Sequence, residues 1–297
     1  MQSLIDASVY VFRAYYSMPD DMVDDAGNPV NALYGFCRFL GDFMENVTPE
    51  FVAVAFDESL TESFRTEIYP EYKANRDPAP EELKRQFSQC RRYVRSLGLM
   101  ELGSPRYEAD DLIGTLVEHG RRQGRPSTIV SRDKDLTQLL GKDDVFWDFA
   151  GKGKLRYEEI PGSFGVWPEQ IADFLALAGD AVDNIKGVPG VGKKTAEKLL
   201  QHFGSLGDIY DNLDRVHEVN VRGAKTLGAK LETHRDEAML ARKLTGIACD
   251  APIDDVEAML RPAPPELGAI NSLFDEAGIG MALRRQAERV SDIYRHQ

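Results

Sequence analysis

The sequence has no apolar run approaching the roughly 20 residues a membrane span requires, and Met1 leads into Ser3, Leu4 and Ile5 without a basic, apolar leader. A soluble, globular, cytoplasmic protein is therefore expected. Cysteine is scarce. Cys37, Cys90 and Cys249 lie far apart and in no metal-ligand spacing, which argues against a zinc site and against a disulfide framework. Positive charge is also in deficit, with 36 basic against 49 acidic residues and a formal charge of −13. That balance argues against a protein that coats nucleic acid indiscriminately, because phosphate binding needs clustered Lys and Arg. An acidic total still permits a local basic surface if many acids gather at one site and are neutralised there by metal.

What is present is 297 residues, 42% of them hydrophobic, enough for one large domain or two smaller ones. The first two thirds alternate β-like apolar runs with amphipathic stretches, the pattern of helices covering both faces of a mostly parallel sheet. Strands are expected at 3–5, 51–56, 128–130 and 145–147, and helices at 32–45, 82–97, 109–122 and 134–140. From residue 168 the chain reads as helical, over 168–178, 193–203, 206–212 and 235–244, with no comparable strand pattern. Residues 250–265 read as a connector, 265–278 as a last helix, and the polar tail after Arg284 is expected to fray. The division expected is an α/β core over 1–167 and a helical region over 168–297.

Acids recur where these elements end: Asp6, Asp57, the YEADD run with Glu108, Asp110 and Asp111, the SRDKD run with Asp133 and Asp135, and GDAVD with Asp180 and Asp183. One such acid by itself reads as a turn residue or a first-turn helix acid. Five clusters at element ends ask for more. In an open parallel sheet the carboxyl ends of the strands face one crevice, so these acids would converge. Converging carboxylates repel unless cations intervene, and hard divalent cations take oxygen ligands. Two such ions about 4 Å apart suit phosphodiester chemistry. The expected grouping is Asp6, Asp57, Glu108, Asp110 and Asp111 about one ion, with Asp133, Asp135, Asp180 and Asp183 about the other. A second motif, GVPGVGKKTAEKLL, contains Gly187, Gly190 and Gly192 followed by Lys193, Lys194 and Thr195. It reads as a hairpin between two short helices whose backbone N–H groups cradle a phosphate, while Lys193, Lys194 and Lys198 add charge without reading bases.

That hairpin resembles the helix-hairpin-helix of DNA-binding proteins. From Leu4 to about Leu244 the strings LIDASVYVFRAYY, AVAFD, FRTEIYPEYKANR, YEADDLIGTL, SRDKDLTQLL and GDAVDNIKGVPGVGKKTAEKLL follow the order of the 5′ nuclease superfamily. That superfamily includes the N-terminal nuclease domain of bacterial DNA polymerase I, the phage 5′ nucleases and the flap endonucleases. The resemblance implies a PIN-like α/β nuclease core with a helical arch around residues 60–95, and a helix-hairpin-helix near 184–203. It implies that the nine acids hold two Mg²⁺ or Mn²⁺ ions, and it admits a K⁺ ion at the hairpin. Lys73 and Arg76 would stand near the scissile phosphate, Tyr72 would stack on an unpaired base, and Arg13 would contact phosphate. The activity implied is a structure-specific 5′-3′ exonuclease and 5′-flap endonuclease of DNA replication and repair. Its partner would be DNA with a 5′ end, a flap or a duplex–single-strand junction, and the chain, with no room for a polymerase, is expected to be a standalone nuclease or an isolated nuclease domain, the first being favoured.

Two departures stand out: Ser131-Arg132 where Thr-Gly is common, and Lys186 where Pro is common. Neither removes a carboxylate, although Arg132 sets a cation beside the second cluster. The rival readings are a noncatalytic DNA-binding protein that retains the fold, which would be expected to lack several acids, and a phosphatase of small esters, which leaves the hairpin without a role.

Overall fold

The computed structural model describes residues 1–58, 62–149, 151 and 153–295. Leu60, at the expected start of the arch, lies outside the described residues. The chain runs β1 (Gln2–Asp6), α1 (Ala7–Ser17), α2 (Asn31–Val47), β2 (Phe51–Asp57), α3 (Phe64–Ile68), α4 (Glu81–Ser96), β3 (Met100–Ser104), α5 (Ala109–Arg122), β4 (Ser127–Val130), β5 (Val145–Asp148) and β6 (Gly153–Arg156). Short α6 (Ile160–Phe164) leads to α7 (Ile171–Ala178), α8 (Lys193–Phe203), α9 (Leu206–Asp211), α10 (Ala224–Thr233), α11 (Arg235–Thr245), α12 (Val256–Met259), α13 (Leu267–Glu276) and α14 (Met281–Tyr294).

The strands form one sheet in the order β3-β2-β1-β4-β5-β6, parallel except for the last pair. Side-chain alternation along β1 and β2 sends Leu4, Ala53 and Ala55 to one face and Ile5, Val52, Val54 and Phe56 to the other. Both sets are buried, which is why these strands read as continuous apolar runs rather than alternating ones. The hydrophobic cluster on the first face takes in α5, α7, α8, α10 and α11, and that on the second α1, α2, α4, α13 and α14. The long-range packing supplies a cap that local sequence does not: α2 has no side-chain cap of its own, and Gln86 of α4 accepts from the N–H groups of Ala32 and Leu33 at 2.7 and 3.1 Å.

The mostly parallel α/β sheet and the following helical region are as expected. The differences have physical causes. β3 and β6 flank the sheet and are too polar or glycine-containing to stand out as apolar runs. Residues 134–139 form a 3-10 turn in place of an α-helix. The tail after Arg284 does not fray. It continues α14, whose Leu283, Ala287, Val290 and Tyr294 are buried against the α2 side of the core. Gln286 donates to Asp42 at 2.7 Å and fits so tightly that a Cβ on Gly41 would strike it. The C-terminal helices α13 and α14 thus pack on α4 and α2 from the first half of the chain, and the hydrophobic clusters do not divide at residue 167.

Candidate active site

Strand β1 ends on Asp6, β2 ends on Asp57, and β4 is followed by Ser131 and Asp133. β1 and β4 are adjacent strands from which the sheet is built outward in opposite directions, so a crevice opens where their carboxyl ends meet. Asp6 is its floor, only 3% exposed, and accepts from the Ser131 hydroxyl at 2.7 Å. The same oxygen of Ser131 accepts from the Asp133 N–H at 2.9 Å. Ser131 therefore ties two acid-bearing strands together, a role sequence reasoning missed and one for which a threonine hydroxyl is the natural equivalent. Asp57 accepts from the first amide of α5, Ala109 N–H, at 2.9 Å, and its own N–H donates to Ser8 at 3.0 Å. That bond joins the end of β2 to the helix carrying the YEADD acids.

The acids separate into two groups by what neutralises them. Asp6, Asp57, Asp110, Asp133 and Asp135 have one another as neighbours. Burial, then Asp57, pushes Asp6 up to about 8. Asp110 is raised by burial and by Asp133, Asp6 and Asp57, and Asp135 goes up to about 7 through burial and then Asp133, Asp180 and Asp183. Asp133 stands open to solvent, so Asp6 and Asp110 carry the argument. Among the described residues no three acid, His or Cys side chains enclose an ion as they stand. The raised carboxylates nevertheless fit a hard cation by donor chemistry: all are oxygen donors, and each gains from a positive charge placed between them.

The second group is already compensated. Lys73, whose side chain is 10% exposed, donates to Glu108 at 2.8 Å and lies 3.7 Å from Asp183. Although burial opposes ionisation, Lys73 and Arg65 hold Glu108 below the usual carboxylate range. Arg76 bonds Asp183 at 2.5 Å. These cations sit on a loop docked onto the Asp180–Ile185 turn, which is itself closed by Asp180 N–H to Ile185 O at 2.9 Å and the reverse at 2.7 Å. Lys73 N–H donates to Asp183 O, Asn75 to Ala181 O and Asn184 to Glu71 O. Asp180 itself accepts from Val182 N–H. Asp110 thus neighbours Asp133 as well as Asp6 and Asp57, its expected partners, while Glu108 shares Lys73 with Asp183.

Two residues differ from expectation outright. Tyr72 does not offer its ring to a base. It is buried, 4% exposed, and its hydroxyl donates to Glu108 at 3.2 Å or Asp183 at 3.1 Å. Asp111 is fully buried and saturated, accepting from Arg65 through both oxygens at 2.7 Å, from Glu108 N–H at 3.0 Å and from Ala248 N–H at 2.9 Å. These four donors occupy both carboxylate oxygens, so Asp111 as it stands acts as a structural clamp. Arg65, its partner, is 2% exposed and also donates to the carbonyls of Leu244 and Gly246. It joins α3, α5 and the end of α11. Its place in FRTEIYPEYKANR was visible in the sequence, but burial was not. Arg13 lies half-buried on α1, and Arg132 turns to Asp148 at 3.5 Å.

The glycine hairpin follows α7, but the segment before it is the bridged turn just described rather than a short helix. Buried Val188 and Val191 anchor it, with Val188 N–H on Leu177 O at 2.9 Å. Gly187 packs on Gly179 so closely that a Cβ would fall 2.3 Å from the Gly179 nitrogen. Lys193 and Lys194 open α8 in solvent, and Thr195 N–H turns inward to Gly192 O. Lys198 is committed elsewhere, donating to Asn220 O at 2.7 Å.

Fold and site together define an α/β protein with an acid-lined crevice at the carboxyl edge of its sheet and a glycine hairpin beside it. The model of the 5′-3′ exonuclease N-terminal, resolvase-like domain matches residues 1–161, and that of the 5′-3′ exonuclease C-terminal SAM fold matches residues 166–266. The chain therefore belongs to this 5′-3′ exonuclease family. It is 39% identical over 274 residues to DNA polymerase I of Pseudomonas aeruginosa and 36% identical over 279 residues to that of Mycobacterium tuberculosis. Each alignment takes in 92% of this chain but only 30% of the polymerase. Among solved structures, the fold matches T5 5′-exonuclease with zinc ions bound, at a TM-score of 0.66 and 19% identity over 99% of both chains. It also matches the catalytic core of Rad2 in complex with DNA substrate, at 0.62 and 16% identity over 98% of this chain and 92% of that one.

Proposed function

We propose that the chain is a divalent-metal-dependent 5′ nuclease that hydrolyses phosphodiesters at the 5′ end or 5′ flap of duplex-containing DNA, in replication and repair within the cytoplasm. The observation that carries the reading is the uncompensated group Asp6, Asp57, Asp110, Asp133 and Asp135 beside the compensated lysine and arginine. Mg²⁺ or Mn²⁺ held by the first group would supply the charge that activates water and offsets the negative phosphate. The chain's own residues position the substrate. Lys73 and Arg76, at the mouth of the crevice, exchange carboxylate partners for phosphate oxygens, while Glu108 and Asp183 hold them in place beforehand. Hairpin amides and Lys193 and Lys194 grip the backbone of the duplex arm. Among the described residues no element is suited to reading base edges, so substrate choice follows DNA shape.

The test is cleavage of labelled 5′-flap, blunt duplex and single-stranded DNA in Mg²⁺, Mn²⁺ or chelator. Cutting that needs metal and a 5′ end, and that is lost in Asp110→Asn, supports the reading. Duplex binding without cleavage in either metal overturns it in favour of a noncatalytic DNA-binding protein. Asp110→Asn cutting as fast as the natural chain overturns the active-site assignment.

A further inference from the structure

The hairpin has a neighbour that its own sequence does not announce. Helix α10 is fixed against the rest of the helical region from three sides. Leu227 and Leu231 are buried in the core. Gly228 lies so close to the segment before α10 that a Cβ would fall 2.6 Å from the Leu213 carbonyl oxygen. The loop leading into α10 is tied to α8 by Lys198 on Asn220 O at 2.7 Å. This placement points Lys230 at the hairpin: a Cβ on Gly190 would come within 2.7 Å of the Lys230 Nζ. Gly190 itself is demanded by its φ of +79°, whereas the mobile tip of Lys230 can move aside for a Cβ.

The ammonium of Lys230 takes part in no hydrogen bond or ion pair among the described residues, and its side chain is exposed. The nearby acid on its own helix, Glu232, is engaged by Arg235 at 2.7 Å. On the other side of Gly190, the N–H groups of Lys193 and Lys194 have no backbone acceptor among the described residues, as expected of a helix's first turn, and no side chain caps them. The hairpin is therefore flanked by unpaired donors from two helices: amides at the start of α8, and the Lys230 ammonium of α10 beside Gly190.

We infer that Lys230 is a further DNA-binding residue, contacting the phosphate backbone of the duplex arm together with the hairpin amides. This inference rests on the nuclease reading above. A lysine placed by a rigid helix on the neighbouring side of the hairpin reaches a phosphate that Lys193 and Lys194 do not, so it adds one ionic contact that is indifferent to sequence. Preorganisation is the reason it acts in binding: α10 needs no rearrangement to present it.

The test compares Lys230→Ala, Lys230→Arg and Lys142→Ala for binding to a fluorescent duplex at several salt concentrations in chelator, with cleavage measured separately. Lys142 precedes β5, at the amino end of the parallel strands and away from the crevice, so its variant matches the charge change without the placement. The expected result is several-fold weaker duplex binding for Lys230→Ala, independent of sequence, with a salt slope reduced by about 1. Lys230→Arg should restore the slope, and cleavage should show a raised KM with kcat retained. If Lys230→Ala binds with the affinity and slope of Lys142→Ala, the inference fails while the nuclease reading stands. If the natural chain neither binds duplex nor cuts it, both fail.

Discussion

Asp111→Asn and Asp110→Asn are neighbouring substitutions of the same chemical size, and the structure predicts opposite consequences. Asp111 is buried with four donors on its two oxygens, two of them from Arg65, which is itself 2% exposed. An asparagine keeps one acceptor and turns an amide N–H₂ toward groups that are all donors. Glu108, 3.7 Å from the guanidinium and shared with Lys73, is a poor substitute partner. Breaking one side of a buried ion pair costs about 3–5 kcal/mol, against a total stability of about 5–15 kcal/mol for a folded chain. Asp111→Asn should therefore unfold at much lower urea in chelator, yet the fraction that remains folded should titrate with Mg²⁺ as the natural chain does. Asp110→Asn removes a carboxylate repelled by Asp133, Asp6 and Asp57. It should be as stable as the natural chain or more so in chelator, and should bind Mg²⁺ more weakly. Urea unfolding in chelator and calorimetric metal titration read both effects. A fully stable Asp111→Asn that loses metal binding would refute the clamp assignment.

Further predictions concern the floor of the crevice and the core. Burial and neighbouring acids push Asp6 up to about 8 and Asp135 up to about 7, against roughly 3.9 for an unfolded Asp. The folded state then holds the extra protons, so metal-free stability should decline from pH 5 to 8, and saturating Mg²⁺ should flatten that slope; a midpoint that rises over this range in chelator contradicts it. Tyr72→Phe keeps the ring and removes the hydroxyl between Glu108 and Asp183, so stability should drop by about 1.5–3 kcal/mol. A phenylalanine variant as stable as the natural chain would show that the hydroxyl does not hold this network. Leu283→Ala in α14 should cost about 2–5 kcal/mol in thermal or urea unfolding, whereas a frayed tail would register nothing.

What the sequence by itself determined was periodic or repeated. The apolar runs of β1, β2, β4 and β5 placed the strands, and acids at element ends announced a crevice before any strand order was known. The helices α2, α4, α5, α8 and α11 were legible because each presents a stripe to the core over two or more turns. Strands β3 and β6 were not, because edge strands bury less and carry glycine and charge. Only the tertiary structure decided which carboxylates were free. Asp110 and Asp111 are adjacent in sequence, yet helical geometry turns one toward other acids and the other toward Arg65, a residue 46 positions away. The same holds for Tyr72, whose burial depends on the Asp180–Ile185 turn, and for Lys230, placed over Gly190 by a helix that enters from later in the chain. Ionisation and contact depend on neighbours in space, and local sequence does not encode those neighbours until the chain has closed on itself.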